Sequence, residues 1–466
     1  MNTFAQAVEN TQEYSLTENG ALTLTSSLDK NVDLFFQIGA SRQRPEVALN
    51  LFNSAFAENP ELATKILLWS RDARGGAGER AVPRHIIQSM LGIRAFHKFI
   101  PAIIEKLPEL GRWDDLLIFE GTKFETEAFE KIASGLRDSN GLCAKWIPRQ
   151  GKTAAKLRKF MGMSPKAWRK GLVALSNTVE QKMCANQWDE INYNHVPSIA
   201  AARNQKAFGR HDPIRYQAYA TALTKGDPAA KINASVVYPY DVLRSLLAGN
   251  AEIAVAQWEA MPNYLGDNGF ILPMCDVSGS MGTAVSGSLT ALDVCVSLGL
   301  YLADKQKGPF KDMMLTFSEN SKINVLRGDL QQKVSQIKTL DWGMNTNLQA
   351  GFNEILRVAK YKNIDQSQMP KYLLIISDMQ FDSCCSSHTN FEEMELKFEH
   401  AGYELPMVIF WNLCGRGGNV PVNKFTKNVA LVSGFSPAIM LSVLAAKSIT
   451  PIDVMLTAVD KERYSV

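Results

Sequence analysis

Two apolar runs in the second half of the chain set the first limit on its fold. Phe270-Ile271-Leu272-Pro273-Met274-Cys275 ends at Asp276, and Tyr372-Leu373-Leu374-Ile375-Ile376 ends at Ser377-Asp378. Runs without polar alternation predict strands buried on both faces, as in a parallel sheet covered by helices. Further strand candidates at Met313 to Phe317, Met407 to Trp411 and Val429 to Val432 are separated by helical patterns. These patterns cover Leu289 to Ala303, Leu330 to Ile337, Leu348 to Ala359, Phe391 to His400 and Pro437 to Ala446. The alternation predicts a doubly wound, mainly parallel α/β domain over residues 266–466.

The earlier sequence has a different grammar. Val47, Leu49, Leu51 and Phe52 lead into Leu62, Ile66, Leu67, Leu68 and Trp69, and Ile86, Ile87, Met90 and Leu91 follow at helical spacing. Breaks at Arg74-Gly75-Gly76, Pro101, Pro108 to Gly111 and Ser164-Pro165 suit antiparallel helix pairs. The expectation is an α + α/β chain, with an irregular, HEAT-like helical repeat array over residues 34–260. The polar stretch Thr17 to Asp33 makes residues 1–33 an arm or small hairpin.

Composition narrows the function classes. At 466 residues the chain exceeds one ordinary core, and 50 Lys+Arg against 47 Asp+Glu leave only +3, so any basic surface must be local. Seven cysteines without a CxxC pair fit neither a disulfide scaffold nor a zinc ribbon. The start MNTFAQAVENTQEYSL lacks the pattern of a signal peptide, and no apolar run has membrane-spanning length. A cytoplasmic protein with no membrane partner is expected.

Three segments of the α/β half bring oxygen ligands to places where strands end or helices begin: Asp276-Val277-Ser278-Gly279-Ser280, Asn345-Thr346-Asn347 and Ser377-Asp378. In an open α/β sheet, strand carboxyl ends converge on one crevice. Hydroxyls of Ser278, Ser280 and Thr346 with carboxylates of Asp276 and Asp378 form an all-oxygen set suited to a hard cation, Mg²⁺ or Mn²⁺. The other reading of Asp-x-Ser-x-Ser is a capping turn. No general base or second metal cluster accompanies these residues, so a non-catalytic role is expected, with metal-assisted phosphoryl hydrolysis the enzymatic alternative.

The motif DVSGS, Thr346 within GMNTNL and Asp378 within LLIISDMQFD resemble the von Willebrand factor A fold and its metal-ion-dependent adhesion site, over about residues 266–466. The resemblance implies that Ser278, Ser280 and Thr346 meet the ion directly while Asp276 and Asp378 act through water. The acidic neighbour usual after the strand-end aspartate is absent, since Met379-Gln380-Phe381-Asp382 follows. An open coordination position would accept a carboxylate from a protein partner, or a phosphate.

Between Gly141 and Val179 there is no Asp or Glu, yet there are nine cations: Lys145, Arg149, Lys152, Lys156, Arg158, Lys159, Lys166, Arg169 and Lys170. Such segregation points to a polyanion. Trp146, Phe160 and Trp168 lie among them, and aromatics with Lys and Arg suit unpaired RNA; aromatics at helical spacing also suit a core. A second patch, Arg71, Arg74 and Arg80 around Gly75-Gly76-Ala77-Gly78, has two readings: phosphate binding, or a helix end paired with Asp72 and Glu79. It lacks the Gly-Lys-Ser/Thr ending of a nucleotide P-loop.

The segments LWSRDARGGAGER, GRWDDLL, KWIPRQ, NTVEQKMCANQWDEINYNHVPSIA and KAFGRHD resemble an uncharacterised family of proteins with a von Willebrand factor A domain, found in bacteria, their viruses and eukaryotes. That family is similar, more distantly, to the TROVE module of Ro autoantigens, where a ring of helical repeats binds small structured RNAs and the ends of misfolded RNAs. The resemblance covers about residues 30–466 and implies a ribonucleoprotein whose helical ring or arc takes RNA. The rival expectation is a protein scaffold whose metal captures a partner's acidic side chain.

Overall fold

The computed structural model describes residues 13–249, 251–317, 321–340, 345–383, 388–415, 417–446 and 449–466. It is helical before residue 260 apart from one short hairpin, and α/β from Ile271 onward. The sheet contains β1 (Ile271–Asp276), β2 (Met313–Phe317), β3 (Lys322–Val325), β4 (Tyr372–Ser377), β5 (Met407–Asn412) and β6 (Val429–Ser433). Its order is β6-β5-β4-β1-β2-β3, parallel throughout except for the antiparallel β2–β3 pair. All six β1 residues are buried, as expected of a strand with helices over both faces.

The direction of winding reverses between β1 and β4, which are paired in register from Ile271↔Tyr372 to Cys275↔Ile376. That reversal leaves a crevice at the strands' carboxyl ends. Asp276 closes β1 there, and Ser377-Asp378 closes β4. The edge strand β3 was not expected: it is four residues long and its side chains are exposed or half-buried, so no apolar run marks it.

The compact units do not follow chain order. One comprises the described part of Met1–Ser70 with Gly75–Val82 and Asn263–Ser465; the other is mainly Pro83–Pro262 with Arg71–Arg74. The expected boundaries of 1–33, 34–260 and 266–466 cut across this division. The helix Lys30–Ile38 explains why. Eight consecutive residues, Asn31 to Ile38, are buried, so this helix is interior to the α/β unit and has no solvent stripe. Ser433 at the end of β6 donates its hydroxyl to the Phe35 carbonyl at 2.9 Å and accepts the Gly39 amide at 3.1 Å. A Cβ at Gly39 would lie 2.4 Å from the Ser433 carbonyl oxygen, so the approach needs glycine. Trp69, on the helix Pro60–Arg71, packs its ring 4.4 Å from Phe35.

The polar N-terminal stretch forms a hairpin, Tyr14–Leu16 with Leu22–Leu24. It joins the α/β unit through bridges Leu24↔Val420 and Gly20↔Asp382.

In the second unit, amphipathic helices pack around Ile86, Ile103, Leu107, Phe119, Ile132, Leu157 and Trp168. Its interior also holds a charge network. Fully buried Asp115 accepts from Arg71 at 2.7 Å and from the Arg112 amide at 2.8 Å, and it pairs with Arg84. Gly111 lies against this network, where a Cβ would sit 2.5 Å from the Arg71 guanidinium. No helix among the described residues is long and apolar enough to cross a membrane.

Candidate cation site and candidate nucleic-acid interface

The β1 and β4 ends bring Asp276 and Ser377-Asp378 side by side. The Asp276 carboxylate accepts the Ser278 amide at 3.0 Å and the Ser377 hydroxyl at 2.5 Å. The Ser278 and Ser280 hydroxyl oxygens are 3.0 Å apart. Asp276, Ser278, Thr346 and Asp378 are buried, and Ser280 is half-buried. Burial first, and then the Asp378 carboxylate, push the Asp276 carboxyl up to about 7, against the hydrogen bonds from Ser377 and Ser278.

Thr346 joins this end of the sheet through the loop after β4. Its amide donates to the Asp382 carboxylate at 3.0 Å, and its carbonyl accepts the Asp382 amide at 3.1 Å. Asn347 caps the helix Leu348–Lys362 by accepting the Ala350 amide at 2.9 Å. Gly343 and Met344 of the same motif lie outside the described residues, as do Cys384 and Cys385.

The sequence reading missed the hairpin tip. The Asn19 side-chain amide donates to the Thr346 hydroxyl at 3.3 Å and to the Gln380 carbonyl at 2.7 Å. The Glu18 amide donates to Gln380 Oε1 at 2.9 Å, and the Thr17 hydroxyl donates to the Phe381 carbonyl at 2.7 Å. No local pattern links residues 17–19 to 346 and 380; only the Thr17 to Asp33 polarity marked this stretch as unlike its surroundings.

These donors fit a hard cation chemically. They are oxygens only, two of them hydroxyls from one turn, beside two carboxylates whose mutual repulsion a divalent charge would relieve. Among the described residues no group of three or more His, Cys, Asp or Glu forms an alternative site.

The basic candidates gather on two short helices of the second unit. Lys152, Lys156 and Lys159 are exposed along Lys152–Phe160, while Ala154 and Leu157 are buried. Lys166, Arg169 and Lys170 are exposed on Pro165–Ser176, while Trp168 and Leu172 are buried. Lys145, Arg149 and Arg158 are half-buried. Among the described residues, Lys152, Lys159, Lys166 and Lys170 are in no ion pair. Lys156 differs, pairing with Glu120 at 3.0 Å and Glu125 at 3.3 Å, which raises its pKa. Arg149 donates to the Ser176 hydroxyl at 3.2 Å.

Two expected contacts are corrected. Trp168 is 2% exposed and its indole N–H donates to the Pro148 carbonyl at 3.2 Å, so its ring is core and offers no face to a base. Phe160 is 42% exposed, and half-buried Trp146 carries Arg112 over its ring at 3.8 Å. Arg71, 4% exposed, is committed to Asp115 and is unavailable to phosphate. Arg74 is exposed and donates to the Glu109 carbonyl at 2.9 Å, while exposed Arg80 falls in the other compact unit. Glu79 pairs with Arg42 at 2.7 Å.

The fold and its two sites define a chain with a helical unit and a doubly wound α/β unit whose switch point carries an oxygen-rich crevice. Residues 271–463 match the family model described as Domain of unknown function (DUF7788), and residues 125–271 match Domain of unknown function (DUF2828). The chain is 27% identical over 503 residues to "Uncharacterized protein L728" of Acanthamoeba polyphaga mimivirus, across 95% of this chain and 86% of that protein. The crystal structure of Deinococcus radiodurans RO (RSR) protein aligns over 91% of this chain and 93% of that one, with a TM-score of 0.42 and 15% identity.

Proposed function

We propose that this is a non-catalytic RNA-binding protein whose helices Lys152–Phe160 and Pro165–Ser176 contact RNA, and whose α/β unit carries a divalent-cation site of the von Willebrand factor A kind. The observation that carries the RNA reading is the acid-free window Gly141 to Val179, whose cations Lys152, Lys159, Lys166 and Lys170 are exposed and unpaired among the described residues. Four exposed, unpaired ammonium groups on two helices that touch favour a polyanion as partner. The sequence resemblance to TROVE-related proteins supports the same partner. Phe160, not Trp168, is the aromatic of this stretch exposed to unpaired bases.

The test is binding of single-stranded and duplex RNA across a salt series by the wild type and by a Lys152→Glu, Lys159→Glu, Lys166→Glu triple variant. Each lost phosphate contact should flatten the log–log salt slope by roughly 0.7 to 0.9 and weaken all sequences alike. An unchanged slope and affinity in a folded triple variant would remove this face from RNA binding.

A second reading is favoured by a separate observation, the buried oxygen cluster of Asp276, Ser278, Thr346 and Asp378 with half-buried Ser280. Ser278, Ser280 and Thr346 would hold Mg²⁺ or Mn²⁺ through their hydroxyls, with Asp276 and Asp378 holding its waters. In that reading the chain is a cation-dependent scaffold for a protein partner's carboxylate, and partner capture would be lost in EDTA rather than in salt.

A further inference from the structure

The helical unit contains a cleft that the exposed lysines alone do not account for. Its lining comes from residues 140–145 and 176–197, all within the second compact unit. Its volume of about 590 Å³ lies in the range of small-ligand sites, roughly 300–1,000 Å³. Local structure explains its position. Leu142 and Lys145 stand on the helix Gly141–Trp146, against which Pro165–Ser176 packs. Asn177 ends the latter helix in the left-handed conformation, at φ +37°, and turns the chain so that Val179 and Lys182, on Val179–Cys184, line the same opening.

One part of the lining is apolar. Leu142, Val179, Ile191 and Val196 form it, and Leu142 is left 56% exposed. Covering that leucine removes apolar area from water, so this wall favours a flat, largely apolar group. The rest of the lining is rich in donors. Lys145 is half-buried and in no ion pair among the described residues, and half-buried Lys182 gives one N–H to the Glu190 carbonyl at 2.9 Å and keeps two. Asn140 and Asn192 spend their side-chain oxygens on the Cys143 and Asn194 amides, at 2.9 Å and 3.1 Å, which leaves the NH₂ group of each as what it can offer. One acid stands against these donors in the lining, the exposed Glu180.

An apolar wall beside two ammonium groups and amide donors suits a heterocyclic base that carries a phosphate. The wall takes the ring face, the amides take the acceptors of the base, and the lysines take the phosphate. A fatty anion would leave the amide donors unused, and inorganic phosphate would leave the wall bare. The cleft also continues the basic face. Ser176, in its lining, lies six residues beyond Lys170 on one helix, about 9 Å along the axis or roughly three stacked nucleotides.

We propose that this cleft is a nucleotide-binding site, with the base against Leu142, Val179, Ile191 and Val196 and the phosphate on Lys145 and Lys182. For the source of the nucleotide it rests on the RNA-binding reading, to which it adds a pocket that takes one unpaired base out of a strand.

The test uses the full chain. Calorimetry compares uridine 5′-monophosphate, uridine and inorganic phosphate, and a single-stranded RNA carrying thiouridine is photocrosslinked to the protein. The monophosphate should bind at least tenfold more tightly than uridine or phosphate alone. Lys145→Ala should weaken it roughly tenfold while Lys145→Arg retains it, and Leu142→Asp should weaken it by a similar factor, with folding checked by melting. Thiouridine adducts should map to residues 140–145 or 176–197 and disappear under excess monophosphate. Monophosphate binding no tighter than that of phosphate, or indifferent to Lys145→Ala and Leu142→Asp in folded protein, overturns the site. If RNA binding depends on Lys152, Lys159 and Lys166 but the monophosphate does not bind and no adduct maps to the cleft, the site falls and the RNA reading stands. If the monophosphate binds as expected and RNA does not, the cleft stands as a site for a free nucleotide and the RNA reading falls.

Discussion

At the carboxyl ends of β1 and β4, Asp276, Ser278, Thr346 and Asp378 are buried and tied by hydrogen bonds, whereas on Lys152–Phe160 and Pro165–Ser176 the cations Lys152, Lys159, Lys166 and Lys170 stand exposed and unpaired among the described residues. The first arrangement is costly in isolation, because two carboxylates share a low-dielectric crevice and only a proton or a cation relieves them. The second costs little, since water solvates each ammonium. A buried cluster therefore constrains what must bind, while an exposed stripe constrains only the sign of its partner. The Arg71–Asp115–Arg84 network shows that burial also disqualifies: charges satisfied internally hold helices together and are lost to ligands.

The sharpest way to break this contrast is at Trp168, which sits inside the basic helix but belongs to its core. Trp168→Ala should cost about 3–5 kcal/mol of stability in denaturant unfolding, with RNA affinity per folded molecule unchanged. A stable variant with weakened RNA binding would return the ring to the interface.

A smaller effect is expected at the crevice. Folding raises the Asp276 pKa to about 7, so between the ordinary carboxylate value near 3.8 and 7 the folded state holds a proton that the unfolded chain has released. Stability in EDTA should therefore fall as pH rises through that window and level off above it. Asp276→Asn, which keeps the shape without the charge, should flatten the profile, and Mn²⁺ should flatten it in wild type. A wild-type melting temperature in EDTA that is constant from pH 4 to 7 would contradict the buried pair.

The smallest effect separates two lysines on one helix. Lys156→Glu loses pairs to Glu120 and Glu125, whereas Lys159→Glu loses only solvent contacts. Both should weaken RNA binding by a few-fold, but Lys156→Glu alone should also lower the unfolding midpoint slightly, by placing a like charge beside Glu120 and Glu125. Equal stability of the two variants would show that the Lys156 pairs contribute nothing.

Much was legible locally. The apolar runs of β1 and β4 announced strands buried on both faces, their terminal aspartates announced the crevice, and the acid-free window Gly141 to Val179 marked the lysines that stand exposed on Lys152–Phe160 and Pro165–Ser176. These signals are one-dimensional: a run of apolar residues, a spacing, a charge count. The edge strand β3 escaped because four residues with mixed exposure carry no run to detect. Trp168 was misread because an indole among lysines has the same sequence signature on a surface as in a core.

By itself, then, the sequence determined the two architectures, the three oxygen-bearing segments and the sign of the basic stripe, because periodicity and local charge are properties of neighbours along the chain. Only the tertiary structure decided that Lys30–Ile38 is interior to the α/β unit, that Arg71 is consumed by Asp115, and that Glu18 and Asn19 rest on the loop after β4. Each of those facts joins residues tens to hundreds of positions apart, and such pairings are settled by which buried surfaces and hydrogen-bonding groups find one another when the chain closes.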